Sequence, residues 1–349
     1  MKIYCIEDTK ILHEGETFPH TASTYVFNYF NEPDIDDLQT NIGLLWYNYG
    51  DNEIVNDLKE ADLVAFNIGE LYRADKSVWT RIPIQIVRAI ESKNIKHIML
   101  VNPEHTYYNK SDNEILELMD SLIFEQFGED SRIKFLINTI VDLNLNYETK
   151  RFSPYMFNWN VRERFIPNNL VGCFDEHINT IKEKIFLSYS HHSSDYQEKL
   201  QRFIEKHGLE NKVYFSNIGS GIYLDYDEKE FEHITPWQFN YQSKEHYTNS
   251  YFSVIRETVN LAITEKTWKA MINFHPFIYN TSIENNEKYI RTLKEMGFRT
   301  FDKYFNGTGI LQKIENWQSV DSVEWFLSVK EDVIYNRNRL FNFDMKDIL

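Results

Sequence analysis

Short apolar runs alternate with amphipathic segments along most of the chain, and this alternation restricts the fold more than any other feature. KIYCIE (2–7), GLLWYNYG (43–50), DLVAFNIGE (62–70), HIMLVNPEH (97–105) and IKFLINT (133–139) each read as a strand. Between them, helical spacing appears in 21–30, in NEIVNDLKEA with a cap near Asp51 or Asn52, and in 77–93 with Val78, Ile82, Ile86, Val87 and Ile90. SDNEILELMDSLIFEQF is a further helix, capped at Ser111 or Asp112. Strands that are apolar throughout belong to parallel sheets covered on both faces. The expected class is α/β, with a doubly wound N-terminal domain over about 1–165.

The segment 150–170 breaks the pattern with two prolines and many aromatics, and reads as a connector. Alternation restarts at EKIFLSYS (183–190). A polar turn follows, from Ser190 through His191, His192 and Ser193 to Ser194, then a helix of about 195–207 ending at Gly208. KVYFSN (212–217) is the next strand. The segment 218–243 is loop-rich, and SKEHYTNS is a short helix. YFSVI, TEKTWKAMIN and HPFIYN then give strand, helix, strand: a βαβ unit. Its charged residues Arg256, Glu257, Glu265 and Lys266 stand where strand carboxyl ends and helix N-termini meet, the usual ligand edge of a parallel sheet. This second domain covers 166–320, and 321–349 reads as one long terminal helix.

TEKTWKAMINFHPFI, with SVIRET before it and GFRTF after it, resembles the nucleotide-binding half of GT-B glycosyltransferases of the fucosyltransferase-like and phage or bacterial kind. The likeness spans Tyr251 to Phe301 and extends loosely over the preceding half-domain. It implies two Rossmann-like domains facing a cleft, with a terminal helix crossing back to the first domain. It implies a nucleoside-diphosphate sugar as co-substrate and no other cofactor. It assigns Glu265 to the donor ribose and Lys266 to the donor phosphates. Glu257 and Glu265 also stand as E-x7-E, a pattern of many retaining GT-B enzymes that chance produces as well. Related sequences tend to carry Arg or Lys in the turn where this chain has His191 and His192.

The chemistry of sugar transfer sorts the remaining candidates. The leaving diphosphate must be neutralised, the nucleotide held and the acceptor hydroxyl oriented or deprotonated. Lys266 at a helix N-terminus, Arg256, and the turn Ser190, His191, His192, Ser193 are the phosphate candidates. A solvated Lys, a surface Arg and a plain polar turn are the bland readings. Glu265 offers two acceptor oxygens to ribose hydroxyls. Glu257 either contacts the sugar or pairs as a strand-end carboxylate with a nearby Arg. The SNIGSG loop (216–221) lets backbone groups approach a base. The first domain supplies Glu70, and Glu104 or His105, as candidate catalytic bases; helix capping or loop solvation is the alternative for each. An inverting reaction needs such a base and a retaining one does not. No metal site is expected; LDYDE (224–228) holds Asp-x-Asp within an acidic loop.

Composition narrows partners. A net charge of −16 repels nucleic acid and anionic membranes. Two cysteines, Cys5 and Cys173, make no disulfide framework and suit a reduced, cytoplasmic setting. MKIYCIEDTK lacks the apolar core of a secretory leader, and no apolar run has membrane-spanning length. The abundant Tyr and Trp suit a sugar cleft as well as a packed core. The expected acceptor is a glycan, a lipid-linked sugar or another envelope precursor. Three rivals remain. KIFLSYSHHSSDYQEKLQRFIEKHG also resembles the opening of a TIR-like, NAD-cleaving or signalling domain. A phage-type enzyme acting on hydroxymethylated DNA bases would need a basic edge from Arg151, Arg162 and Arg164. A degenerate, glycan-binding GT-B protein is the third.

Overall fold

The computed structural model describes residues 1–6, 53–55, 57–67, 82, 84–102, 111–153, 170–190, 194–217, 221, 244–257, 262–318 and 322–342. These fall into two compact units, one ending at Ser153 and the other beginning at Leu170. Both are α/β, with parallel sheets flanked by helices, as in Rossmann-like domains.

The first unit holds six strands: β1 (Lys2–Ile6), β2 (Glu53–Ile54), β3 (Leu63–Asn67), β4 (His97–Asn102), β5 (Ile133–Ile137) and β6 (Glu148–Arg151). Their order is β2-β1-β3-β4-β5-β6 and every pair is parallel. Helix α1 (Ile84–Glu91) turns Ile86, Ala89 and Ile90 onto Val64, Phe66, Ile98 and Leu100. Helix α2 (Ser111–Phe127) adds Leu116, Met119 and Ile123 to the same core. The opposite face, with Leu63, Ala65, Met99, Val101 and Leu136, is buried too, which explains why these strands read as continuous apolar runs.

Three expectations fail in this unit. The helix expected over 77–93 is helical over Ile84–Glu91; Ile82, read as one of its apolar positions, lies outside it, ahead of Pro83. NEIVNDLKEA is not a helix. Glu53 and Ile54 pair with Lys2 and Ile3 as a strand, and Val55 N–H reaches Ile3 O at 2.9 Å. Asp57 then caps a single 3-10 turn, Leu58–Glu60, by accepting from Lys59 N. Pairing with a distant strand outweighs local helical spacing here. Part of the expected connector is strand: β6 lies at the sheet edge, its charges tied up by Lys134–Glu148 and Lys150–Glu148 ion pairs at 2.8 and 2.7 Å. The expected strand 43–50 and helix 21–30 lie outside the described residues.

The second unit begins with α3 (Phe174–Asn179), then β7 (Lys184–Ser190), α4 (Asp195–Lys206) and β8 (Val213–Asn217). Next come α5 (Lys244–Thr248), β9 (Ser250–Ile255), α6 (Glu265–Ile272), β10 (Phe277–Tyr279) and α7 (Ile283–Glu295). The remaining helices are α8 (Ile310–Trp317), α9 (Ser322–Ser328) and α10 (Lys330–Phe341). Helix α4 is capped by Ser194, whose hydroxyl accepts from Gln197 N, and it stops before Gly208 at φ 61°. Aromatic packing fills the core: Phe252 of β9 meets Phe305, Trp317 and Trp325, while Phe277 meets Phe301. The expected single terminal helix is two among the described residues: α9 ends at Ser328, and Val329, at φ −87° and ψ −6°, stands at the N-cap position of α10 without a side-chain capping bond.

The sheet runs β10-β9-β7-β8, all parallel. From β7 the chain crosses through α4 to β8 on one side. From β9 it crosses through α6 to β10 on the other side. Adjacent strands β7 and β9 therefore send their crossovers in opposite directions. A parallel sheet opens a crevice at the carboxyl ends of such a pair, and ligands settle there.

Candidate functional site

The carboxyl-terminal edge of the sheet is built from the ends of these strands. Ser190 closes β7 and is 5% exposed. Arg256 and Glu257 follow β9 directly, at 8% and 2% exposure. Arg256 Nε donates to Ser194 Oγ at 3.2 Å, so the guanidinium spans from the end of β9 to the N-cap of α4. Its carbon lies 5.4 Å from the centre of the Tyr196 ring. Among the described residues, no acceptor meets the terminal nitrogens of Arg256. Burial draws its pKa down, while nearby Glu257 and the tyrosines pull the other way. A guanidinium stays protonated under either influence.

Glu257 faces α6. One carboxylate oxygen accepts from the Thr264 hydroxyl, at the N-cap, and the other from Thr267 Oγ1 at 2.6 Å. The Tyr279 hydroxyl lies 2.9 Å from Thr267 Oγ1, and its ring stacks on Tyr289 with centroids 4.4 Å apart. Burial first, and the negative Glu257 second, push both phenols well above their ordinary value, so they remain protonated.

At the same edge a buried amide ties the strands together. Gln197, fully buried, donates from Nε2 to Ser216 O (3.1 Å) and to Ser188 Oγ (3.4 Å). Its Oε1 accepts from Asn280 Nδ2 at 3.1 Å, and Asn280 also reaches Tyr196 O at 3.2 Å. The ends of β7, β8 and β10 are thereby fixed against the first turn of α4.

The structure thus brings Ser190, Arg256 and Glu257 to one edge. Glu265 opens α6 and Lys266 lies in its first turn, half-buried. The side chain of Glu265 and all of His191, His192, Ser193, Glu70, Glu104, His105, Arg162 and Arg164 lie outside the described residues, as does the 224–228 loop. Arg151 is occupied: it donates to Thr139 O and Val141 O at 2.6 and 2.7 Å and pairs with Asp142 at 3.0 Å. Sequence reasoning missed Gln197, Thr264, Thr267, Tyr279 and Asn280. The spacing Thr264-x-x-Thr267, one helical turn, is the one signal that pointed to a shared partner. Among the described residues no group of three His, Cys, Asp or Glu stands close enough to hold a metal, and no helix is long and apolar enough to cross a membrane.

No protein-family model matches the chain, and no curated protein or solved structure matches it either.

Proposed function

We propose that the chain is a glycosyltransferase that moves a sugar from a nucleoside-diphosphate donor to a hydroxyl of a glycan, lipid-linked sugar or other envelope precursor, working in the cytoplasm. The observation that carries this reading is Arg256. It is a buried guanidinium at the point where the crossovers diverge, aimed at a capped helix start, with open terminal N–H groups among the described residues. Such a fork suits the paired oxygens of a phosphate, and the helix dipole adds to it. Neutralising the leaving diphosphate is the main electrostatic demand of this transfer. Lys266 in the first turn of α6 supplies a second positive charge near the same edge. Glu265 is assigned to the ribose, and Glu70 or Glu104 to the acceptor proton if configuration inverts. No resident metal or cofactor is invoked.

A thermal-shift panel of UDP, GDP, ADP, CMP and NAD tests the reading. A ligand at about 100 times its dissociation constant adds about 2.7 kcal/mol to the stability of the folded chain. A shift with one nucleoside diphosphate, reduced in Arg256→Gln, supports transfer and names the base. A shift with NAD alone moves the assignment to the TIR-like class. No shift with any of the five removes the donor site.

A further inference from the structure

Buried polar atoms in folded proteins nearly always have hydrogen-bond partners, and a buried donor without one calls for an explanation. Asn138 is such a case. It is the first residue past β5, at the carboxyl end of the strand, where parallel sheets take their ligands. The residue is 6% exposed, its Nδ2 is closed off from solvent, and among the described residues no acceptor meets that atom. An apolar side chain of the same size would suit the fold better there, so the amide costs stability where it stands.

The backbone around Asn138 is fixed by its neighbours. Arg151, the last residue of β6, donates to Thr139 O and Val141 O at 2.6 and 2.7 Å. Val141 N–H closes onto Thr139 Oγ1 at 3.1 Å, and Phe152 N–H reaches Ile137 O at 2.9 Å. Ile140 and Ser153 on either side of these bonds are fully buried. The amide thus sits at the root of a rigid loop that it does nothing to hold, which is how a preorganised ligand donor is built. The charges of this loop, Arg151 and Asp142, pair with each other at 3.0 Å. The donor offered is neutral, and it suits a neutral oxygen better than an anion.

We infer that the first unit has a binding site at the carboxyl end of β5, where Asn138 Nδ2 donates to a neutral oxygen of a sugar, a hydroxyl or an N-acetyl carbonyl. Under the transferase reading this sugar is the acceptor. The site is drawn from the first unit alone, and its test is independent of the nucleotide panel.

Methyl glycosides of glucose, galactose, mannose, fucose and N-acetylglucosamine, titrated into the full chain by saturation-transfer NMR well below the thermal midpoint, are the probes. Asn138→Leu removes the donor and keeps the bulk. Its midpoint is expected to be unchanged or raised, because the orphaned amide is gone. The sugar that wild type binds best is expected to bind at least about tenfold more weakly to this variant. Asn138→Ala, which only shortens the side chain, carries the test if Asn138→Leu does not fold. Wild-type affinity in the variant, or no binding of any of the five glycosides by wild type, overturns the inference. A nucleoside diphosphate that still shifts the midpoint of the variant then leaves the transferase reading in place. Sugar binding that is lost in the variant, in a chain that binds no nucleotide, leaves this site in place and removes the transferase.

Discussion

His177, Lys182 and His275 meet at the amino-terminal edge of the second sheet, and their hydrogen bonds fix their protonation. His177 Nε2 lies 2.6 Å from Asn273 O, a carbonyl, so Nε2 carries the proton. Its Nδ1 must then accept, and it faces Lys182 Nζ at 3.2 Å. Lys182 gives its other two N–H groups to Thr248 O and Ser250 O, at 2.7 and 3.0 Å. His275 repeats the pattern, with Nε2 toward Ser250 O at 3.1 Å and Nδ1 accepting from Ser253 Oγ at 2.7 Å. Burial, helped by the charge on Lys182, holds His177 at about 3 and His275 well below its ordinary value. Burial pulls Lys182 to about 7, although three acceptors around the ammonium favour its charged form. An unfolded histidine titrates near pH 6.5, so between about 3 and 6.5 the unfolded chain binds the extra proton. The contribution of His177 to stability is therefore constant above about pH 6.5 and declines as pH falls towards 3. At about pH 4.5 the loss is on the order of 2–3 kcal/mol. Urea unfolding at about pH 7 and pH 4.5 should show wild type losing more stability than His177→Gln; equal losses would remove His177 from the account.

Between α6 and β10 the chain turns without glycine. Phe274 has φ 50°, the one positive φ at a non-glycine among the described residues. Its N–H bonds Met271 O at 3.2 Å and the next N–H bonds Ala270 O at 2.9 Å, closing the helix as a left-handed residue does. The ring earns the strain: it meets Phe174 edge-on at 6.4 Å and carries the Arg337 guanidinium at 4.2 Å. Phe274→Gly should relieve about 1 kcal/mol of backbone strain and lose about 3–5 kcal/mol of packing, a net destabilisation of about 2–4 kcal/mol by denaturant titration. At the end of α7 the logic reverses. Gly297 has φ 83°, and an added Cβ would lie 2.7 Å from Arg339 Nε. Gly297→Ala should destabilise by at least about 1 kcal/mol, and a neutral result would mean that Arg339 moves aside freely. These turns also mark where sequence stops informing. The longer elements followed their periodicity, because most of their hydrogen bonds and one face are local matters. β2 did not, because Glu53 and Ile54 owe their state to Lys2 and Ile3. The break at Val329 carries neither Gly nor Pro. At the candidate site, Ser190, Arg256 and Glu257 were legible as strand-end residues. Their partners Ser194, Thr264 and Thr267 were not assignable, since only the three-dimensional crossing of strands and helices selects them.

Charge and chain connectivity act on the molecule as a whole. A net charge of −16 works against compactness, and the repulsion is long-ranged at low salt. Raising KCl from about 10 mM to about 200 mM shortens the screening length from about 30 Å to under 10 Å and should raise the thermal midpoint. A gain of about 1 kcal/mol corresponds to about 2–4 °C in a domain of 150–250 residues. A falling midpoint would mean that local ion pairs, such as Arg299–Asp332 at 2.8 Å, outweigh the net repulsion. The adjacency of β7 and β9 has a further consequence, in time. Lys184 pairs with Ser250, and everything between, α4 and β8 included, must be made before that pairing can begin. At about 5–20 residues per second a ribosome takes roughly 3–13 s over that stretch. The first sheet has all its described strands by Arg151, whereas β7 waits with one flank open. Overproduction at high temperature should therefore yield aggregates nucleated on KIFLSYS, and slower synthesis in the cold should recover soluble chain.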